Sequence, residues 1–266
     1  MILISNDNEK VIILCYFYKK RRIITMKLTN KNVFITGGTG GIGLRLAEVL
    51  AKKGNRVIVC GRNADMLALV KTEHSKIDIE LLDINDINAD IKFKELIRKY
   101  NKIDILVNNA GIQERYFWSE DFYDYVKQET DVNYLSCVRL INVFLRQKNL
   151  EEKAIVNITS LLGIIPKKSA PSYCASKAAM HVFTKAIRYQ MTDTGLKVYD
   201  VLPPLVATGM SIVQSGERKM SVIDCVNEIV CGIEKDHYEI KPDSAKILAG
   251  AYRVIPGLID KIMSNK

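Results

Sequence analysis

Thr36-Gly37-Gly38-Thr39-Gly40-Gly41-Ile42-Gly43 is the stretch that decides the fold. It follows a short apolar run at 33–36 and opens a segment of helical periodicity at 41–53. Glycines let a backbone turn tightly and come close to a ligand. The start of a helix offers unpaired N–H groups and a partial positive charge, both suited to phosphate. A glycine-rich turn by itself says little, because tight turns use glycine everywhere. Between a strand and a helix, at the head of a βα series, it predicts a dinucleotide cradle. Thr36, Gly37, Thr39, Gly41, Ile42 and Gly43 are the candidate cradle residues.

Outward from that turn, apolar runs alternate with helical patterns. Strand-like runs stand at 33–36, 57–60, 79–82, 105–108, 155–159 and 198–202, with a short one near 238–240. Helical segments lie between them at 41–53, 64–71, 91–99, 123–145, 172–191 and 222–235. Continuous apolar strands in a βαβα order predict an α/β fold: a Rossmann-type, doubly wound, mostly parallel seven-stranded sheet with helices on both faces. Ligands in such folds bind beyond the carboxyl ends of the strands. Ser221 followed by Asp224 reads as a capping box opening a helix. Residues 243–264 read as helix broken at Pro256-Gly257.

The chain has 266 residues, 48% hydrophobic and 26% charged, which fits one soluble domain. Its net charge is +9. No basic stripe alternates with aromatics, so nucleic acid is not an expected partner. The six Cys show no metal-ligand spacing with the three His, so no metal is expected and the thiols read as reduced. The expected compartment is the cytoplasm. Residues 1–25 stand apart: VIILCYFY at 11–18 precedes Lys19-Lys20-Arg21-Arg22. That order is the reverse of a secretory signal, and eight residues are too few to span a bilayer. The segment is read as an extension, upstream translation or a disordered tail, giving way to a domain at 26–266 with Met26 as its natural start. The alternative is a membrane-surface anchor.

Two further positions bear on the nucleotide. The second strand ends in Cys60-Gly61-Arg62, where a site for NAD commonly places an acid on the ribose hydroxyls. Gly61 removes that carboxylate, and the Arg62 guanidinium can pair with a 2′-phosphate, so NADP(H) is favoured over NAD(H). The alternative for Arg62 is a solvated loop residue or one stacked on adenine. Tyr173 and Lys177 lie four apart in Tyr-Cys-Ala-Ser-Lys, which on a helix puts both on one face. A free phenol has a pKa of about 10, and a nearby ammonium is expected to lower it toward the working pH.

The T-G-x-x-x-G-x-G spacing, Asn108-Asn109-Ala110-Gly111 and Tyr173/Lys177 together resemble the short-chain dehydrogenase/reductase superfamily, in its shorter branch. The resemblance runs from about Lys27 to at least Thr208. It implies an oxidoreductase interconverting a carbonyl and a hydroxyl, with Tyr173 as general acid/base. It further implies that Ser160 donates to the substrate oxygen, that Lys177 hydrogen-bonds the nicotinamide ribose and that Asn133 holds a water linking Lys177 to solvent. Asp83 matches the adenine-contacting Asp, Asn109, Ala110 and Gly111 lie beside the cofactor, and Pro203, Val206 and Thr208 pack on the nicotinamide. The helices at 123–145 and 172–191 resemble the family's dimer faces, implying a homodimer or homotetramer.

The chain departs from the family's usual Pro-Gly with Pro203-Pro204. Pro-Pro-Leu-Val, Tyr238-Glu239-Ile240 and Arg253-Val254-Ile255-Pro256 resemble the DltE-like bacterial oxidoreductases within the superfamily. Substrate specificity is expected from 113–118, 161–172 and 208–220. The aromatics Tyr116, Phe117 and Trp118, with Met210 and Met220, point to a partly apolar carbonyl or alcohol substrate or to lid packing. Two rival functions remain on the same fold: a redox-inert dinucleotide-binding regulator, and an accessory membrane-surface protein using residues 1–25.

Overall fold

Strand residues alternate between the two faces of a sheet, and here both faces are apolar. Val33 and Ile35, Val57 and Val59, and Ile105 and Val107 point to one side; Phe34, Ile58 and Leu106 point to the other. A strand that is apolar on both faces needs helices on both, which is what the sequence supplies between strands.

The computed structural model describes residues 25–117, 119, 121–209 and 219–265. Most of the amino-terminal segment, Trp118 and Met210 lie outside the described residues. The elements run β1 (Asn32–Thr36), α1 (Gly41–Lys52), β2 (Arg56–Gly61), α2 (Ala64–Glu73), β3 (Ile77–Leu81), α3 (Ala89–Lys99) and β4 (Ile105–Asn108). They continue α4 (Tyr123–Thr130), α5 (Ser136–Phe144), β5 (Ala154–Ile158), α6 (Pro171–Gln190), β6 (Lys197–Val201), α7 (Val222–Glu234), β7 (Glu239–Ile240), α8 (Ser244–Val254) and α9 (Pro256–Met263).

The seven strands form one sheet in the order β3-β2-β1-β4-β5-β6-β7, and every pairing is parallel. The chain moves outward from β1 through β2 to β3, then returns to the other side of β1 with β4. That reversal opens a crevice at the carboxyl ends of β1 and β4. One core layer packs α1 and α7 (Leu46, Leu50, Val226, Ile229) on the sheet. The opposite layer packs α3, α5 and α6 through Phe93, Leu140, Phe144 and Met180. A smaller cluster of Leu161, Ile165, Ala245, Ala249, Ile259 and Met263 seats α8 and α9 over the turn after β5.

Three local readings are refined. The helix read at 123–145 is interrupted by a π-helical turn, Asp131–Leu135, which separates α4 from α5. The capping box is present: the Ser221 hydroxyl accepts from the Asp224 N–H at 3.0 Å and donates to its carboxylate at 2.6 Å. The carboxy-terminal helix breaks at Ile255, so that Pro256 opens α9 rather than interrupting it. Among the described residues, no helix is long and apolar enough to cross a membrane.

Candidate active site

The glycine turn is shaped by how closely its neighbours approach. Gly37 has φ +64°, and a Cβ there would stand 2.8 Å from the Ala110 Cα. A Cβ on Gly43 would collide with the Gly37 carbonyl oxygen and stand 2.5 Å from Asn109 Nδ2. The first turn of α1 has Gly40 at its cap with no capping side chain and no acidic residue, which leaves its N–H groups facing the crevice.

Thr36 ties the crevice together. Its hydroxyl oxygen accepts from the N–H groups of both Asn109 and Ala110 at 3.0 Å, joining the ends of β1 and β4 at the reversal point. Asn109 returns the tie by donating to the carbonyls of Thr36 and Gly37, each at 3.0 Å.

These elements border a cleft of about 730 Å³. Of the residues singled out in the sequence, Gly37, Thr39, Gly41, Ile42, Arg62, Asp83, Asn109, Ala110, Gly111, Ser160, Tyr173, Lys177, Pro203, Val206 and Thr208 line it. Thr36, Gly43 and Asn133 do not; they stand behind the wall and hold it. Asn133 is 1% exposed. Its Oδ1 accepts from the Ile112 N–H at 2.8 Å, and its Nδ2 donates to the Ile112 carbonyl at 2.9 Å and to Ser176 Oγ at 3.1 Å. The side chain expected to hold a water thus clasps the loop after β4. A Cβ on Gly111 would meet both Asn133 Oδ1 at 3.0 Å and Lys177 Nζ at 3.4 Å, so a side chain there would crowd both groups. Asp83 accepts from the Asn85 N–H at 2.9 Å, capping a turn while it lines the cleft.

Ser160 follows β5 and opens a 3₁₀ turn, Leu161–Gly163; its Oγ accepts from the Leu162 N–H at 3.1 Å. Tyr173 and Lys177 stand one turn apart on α6, and Pro171 begins that helix at a position suited to proline. Lys177 Nζ lies 5.7 Å from the Tyr173 ring centroid and donates to the Ile158 carbonyl at 2.9 Å.

The electrostatics correct one expectation. Burial pushes the Tyr173 phenol up to about 12, opposed by its hydrogen bond with Ser160. Burial also lowers the Lys177 ammonium below its ordinary value, opposed by Cys137, Asp200 and Glu129. The spacing of Tyr173 and Lys177 therefore does not lower the phenol in this structure. Desolvation dominates at the phenol, while the Lys177 ammonium is engaged by the Ile158 carbonyl.

Part of the apolar lining lies in the 161–172 segment expected to set specificity, which contributes Leu161, Leu162, Ile165 and Lys167. Sequence reasoning missed the rest: Leu82 and Ile84 flank Asp83 after β3, and Leu205, Ser244, Leu248 and Met263 come from later in the chain. Leu248 and Met263 arrive from α8 and α9, some 75 residues or more beyond Tyr173, and no local pattern marks them. In the loop after β4, Tyr116 is buried and stacks on Phe122 and Tyr125 with centroids 5.2 and 5.7 Å away, which is lid packing. Met220 is likewise in the core, where its backbone pairs with the strand-like segment at Leu205 and Ala207. Despite Pro204, the loop after β6 keeps Pro203, Val206 and Thr208 on the cleft, and the Pro203 carbonyl accepts from the Leu161 N–H at 3.1 Å.

Residues 31–219 match the sequence profile of the short chain dehydrogenase family. The uncharacterized oxidoreductase DltE of Bacillus subtilis is 34% identical over 239 residues, covering 86% of this chain and 94% of that one. Two solved structures share the fold. A short chain dehydrogenase of Burkholderia cenocepacia in complex with NADP superposes with a TM-score of 0.80 at 22% identity, over 90% of this chain and 99% of the other. A short chain dehydrogenase/reductase of Burkholderia phymatum in complex with NAD superposes with a TM-score of 0.75 at 18% identity, over 87% and 95%.

Proposed function

Because the chain belongs to the short-chain dehydrogenase family of oxidoreductases, we propose that it interconverts a carbonyl and a hydroxyl on a small molecule with a nicotinamide dinucleotide, and that Tyr173 is the general acid/base. The observation that carries this reading is convergence. Ser160, Tyr173 and Lys177, from two elements, line the same cleft as the uncapped start of α1.

The glycine turn and the first N–H groups of α1 would hold the pyrophosphate, and Asn109, Ala110 and Gly111 would lie beside the nicotinamide half. When bound, the dinucleotide supplies hydride exchange at the substrate carbon. The Leu162 N–H occupies a lone pair on Ser160 Oγ, and the hydroxyl proton, shared with Tyr173 in this structure, would turn to the substrate oxygen when substrate is bound. Tyr173 gives or takes the proton at that same oxygen. Lys177 stands beside the phenol, and Asn133 holds the loop that carries Gly111 against Lys177 Nζ.

NADP(H) is favoured over NAD(H). Gly61 offers no carboxylate to repel a 2′-phosphate, and Arg62 is exposed at the edge of the cleft. Both dinucleotides occur in proteins of similar fold. The hydrocarbon wall from Leu161, Ile165, Leu248 and Met263 suits a substrate with an apolar body. A homodimer or homotetramer is proposed, because Tyr123, Leu135, Val182 and Tyr189 leave large apolar surface exposed on the α4–α6 side. A cytoplasmic location fits the five described cysteines, all free.

The test is fluorescence titration with NADPH and NADH, then turnover of ketones, aldehydes and quinones, for wild type and Tyr173→Phe. Tighter NADPH binding, and turnover lowered at least about 100-fold in the variant with NADPH affinity kept, is the expected result. Equal turnover by both proteins rejects Tyr173 as acid/base. Absence of dinucleotide binding rejects the function.

A further inference from the structure

A buried carboxyl group lies beside Tyr173 and Lys177 and has no part in the chemistry above. Glu129, the penultimate residue of α4, is 0% exposed. Its Oε1 accepts the Glu114 backbone N–H at 2.6 Å, and its Oε2 accepts the Ser172 hydroxyl. Glu114 belongs to the loop after β4, and Ser172 immediately precedes Tyr173. One side chain therefore joins the loop bordering the cleft, the helix leading into the π-helical turn of Asn133, and the start of the helix carrying Tyr173 and Lys177.

Burial raises the Glu129 carboxyl above its ordinary range, and the hydrogen bonds from Ser172 and Glu114 oppose that shift by donating to both oxygens as they would to an ionised carboxylate. A buried charge is retained only where partners compensate it. The groups facing Glu129 are Glu114 from the loop and Tyr173, Cys174 and Lys177 from α6. On its own helix, Lys127 and Asp131 pair with each other at 2.6 Å toward solvent. Among these groups Lys177 is the cation; its charge and that of Glu129 favour each other, as the smallest of the influences on either group.

We propose that Glu129 is a positioning residue for the Tyr173–Lys177 pair: its carboxylate pins the start of α6 to the loop after β4 and holds negative charge behind the two groups. This rests on Tyr173 being the acid/base. The sign follows from Coulomb's law. A negative charge raises the proton affinity of both the phenol and the ammonium, so removing it lowers both. Reduction needs the protonated phenol, and the alkaline limb of its pH profile moves to lower pH when the charge goes.

Two variants separate charge from geometry. Glu129→Gln keeps the shape and removes the charge; Glu129→Asp keeps the charge and shortens the reach. The readouts are kcat and kcat/KM for the best carbonyl substrate across the pH range, with a thermal melt and an NADPH titration to verify folding, and Tyr173→Phe as reference. Expected are an alkaline limb about 0.5–1 pH unit lower in Glu129→Gln, and an unmoved limb with kcat lowered about tenfold in Glu129→Asp. If Tyr173→Phe is inactive while Glu129→Gln matches wild type in both kcat and limb, the inference is overturned. If Tyr173→Phe is fully active, the acid/base reading itself falls and takes the inference with it. Should Glu129→Gln fail to fold, Ser172→Ala removes the pin and leaves the charge. A lowered kcat with an unmoved limb then supports the proposal, and wild-type kcat overturns it.

Discussion

On the β1–β4 side of the cleft the wall is main chain. Gly37 packs its Cα against Ala110, Gly43 packs against Gly37 and Asn109, and Thr36 holds two consecutive N–H groups after β4. On the other side, after β5 and β6 and under α8 and α9, the wall is side chain: Leu161, Ile165, Leu205, Leu248 and Met263, with Ser160, Tyr173 and Lys177 at the junction. At Gly37, Gly38 and Gly43 this wall leaves no room for a Cβ, so those positions are confined. A side-chain wall changes shape with each substitution while the backbone stays put. The first suits a ligand common to many reactions, and the second suits a substrate that differs from one relative to the next.

The sharpest way to break this contrast is Gly43→Ala. The added methyl has no free space, and its obstacles are a carbonyl oxygen and the Asn109 amide that closes the crevice. Overpacking of this kind costs about 1–3 kcal/mol. The expected outcome is a dinucleotide Kd raised about tenfold or more, with a lower Tm, measured by fluorescence titration and calorimetry. An unchanged Kd would show that the main-chain wall is not a tight mould.

Arg62→Ala probes the one long side chain proposed to act on the main-chain side. Loss of a charge-assisted contact with a 2′-phosphate corresponds to about 1.5–3 kcal/mol. NADPH affinity should fall at least about tenfold, with NADH affinity held within about twofold. Equal losses for both cofactors would point to adenine stacking, and no loss for either to a solvated loop residue.

The contrast also accounts for what could be read in the sequence. Main-chain requirements leave local marks: a glycine run between strand and helix, Asn108-Asn109-Ala110-Gly111 after a strand, and apolar strands at regular intervals. The seven strands, the crevice and the main-chain side of the cleft were legible for that reason. The π-helical turn at Asp131–Leu135 was not, because nothing local demands it. It accompanies a clasp between Asn133 and the Ile112 backbone, 21 residues away, and the Ser136 hydroxyl donates to the Asp131 carbonyl at 2.7 Å. Such turns interrupt helices where a side chain must be displaced along the axis. The phenol of Tyr173 was misjudged for a related reason: a four-residue spacing gives direction on a helix but says nothing of desolvation. Glu129 was missed because a carboxylate on an amphipathic helix reads as surface until the partners from Glu114 and Ser172 are seen.

Met263→Ala tests the side-chain wall from its most distant contributor. Met263 is 9% exposed, packs in the cluster with Leu161, Ile165, Ala245, Ala249 and Ile259, and lines the cleft. Truncation leaves a cavity, and a core Met→Ala change costs about 2–5 kcal/mol when the site cannot collapse. Here the site borders an open cleft, so its neighbours can relax and the loss should fall near the lower end of that range. The informative readout is selectivity. Removing three heavy atoms from the apolar wall should shift kcat/KM about tenfold or more toward bulkier apolar carbonyls, since one methylene in such a pocket is worth about 1–3 kcal/mol. The NADPH Kd should stay within about twofold, because no cradle residue belongs to that cluster. A change in Kd as large as the change in selectivity would mean that the two walls are mechanically coupled through the turn after β5, where Ser160 and Leu161 stand side by side.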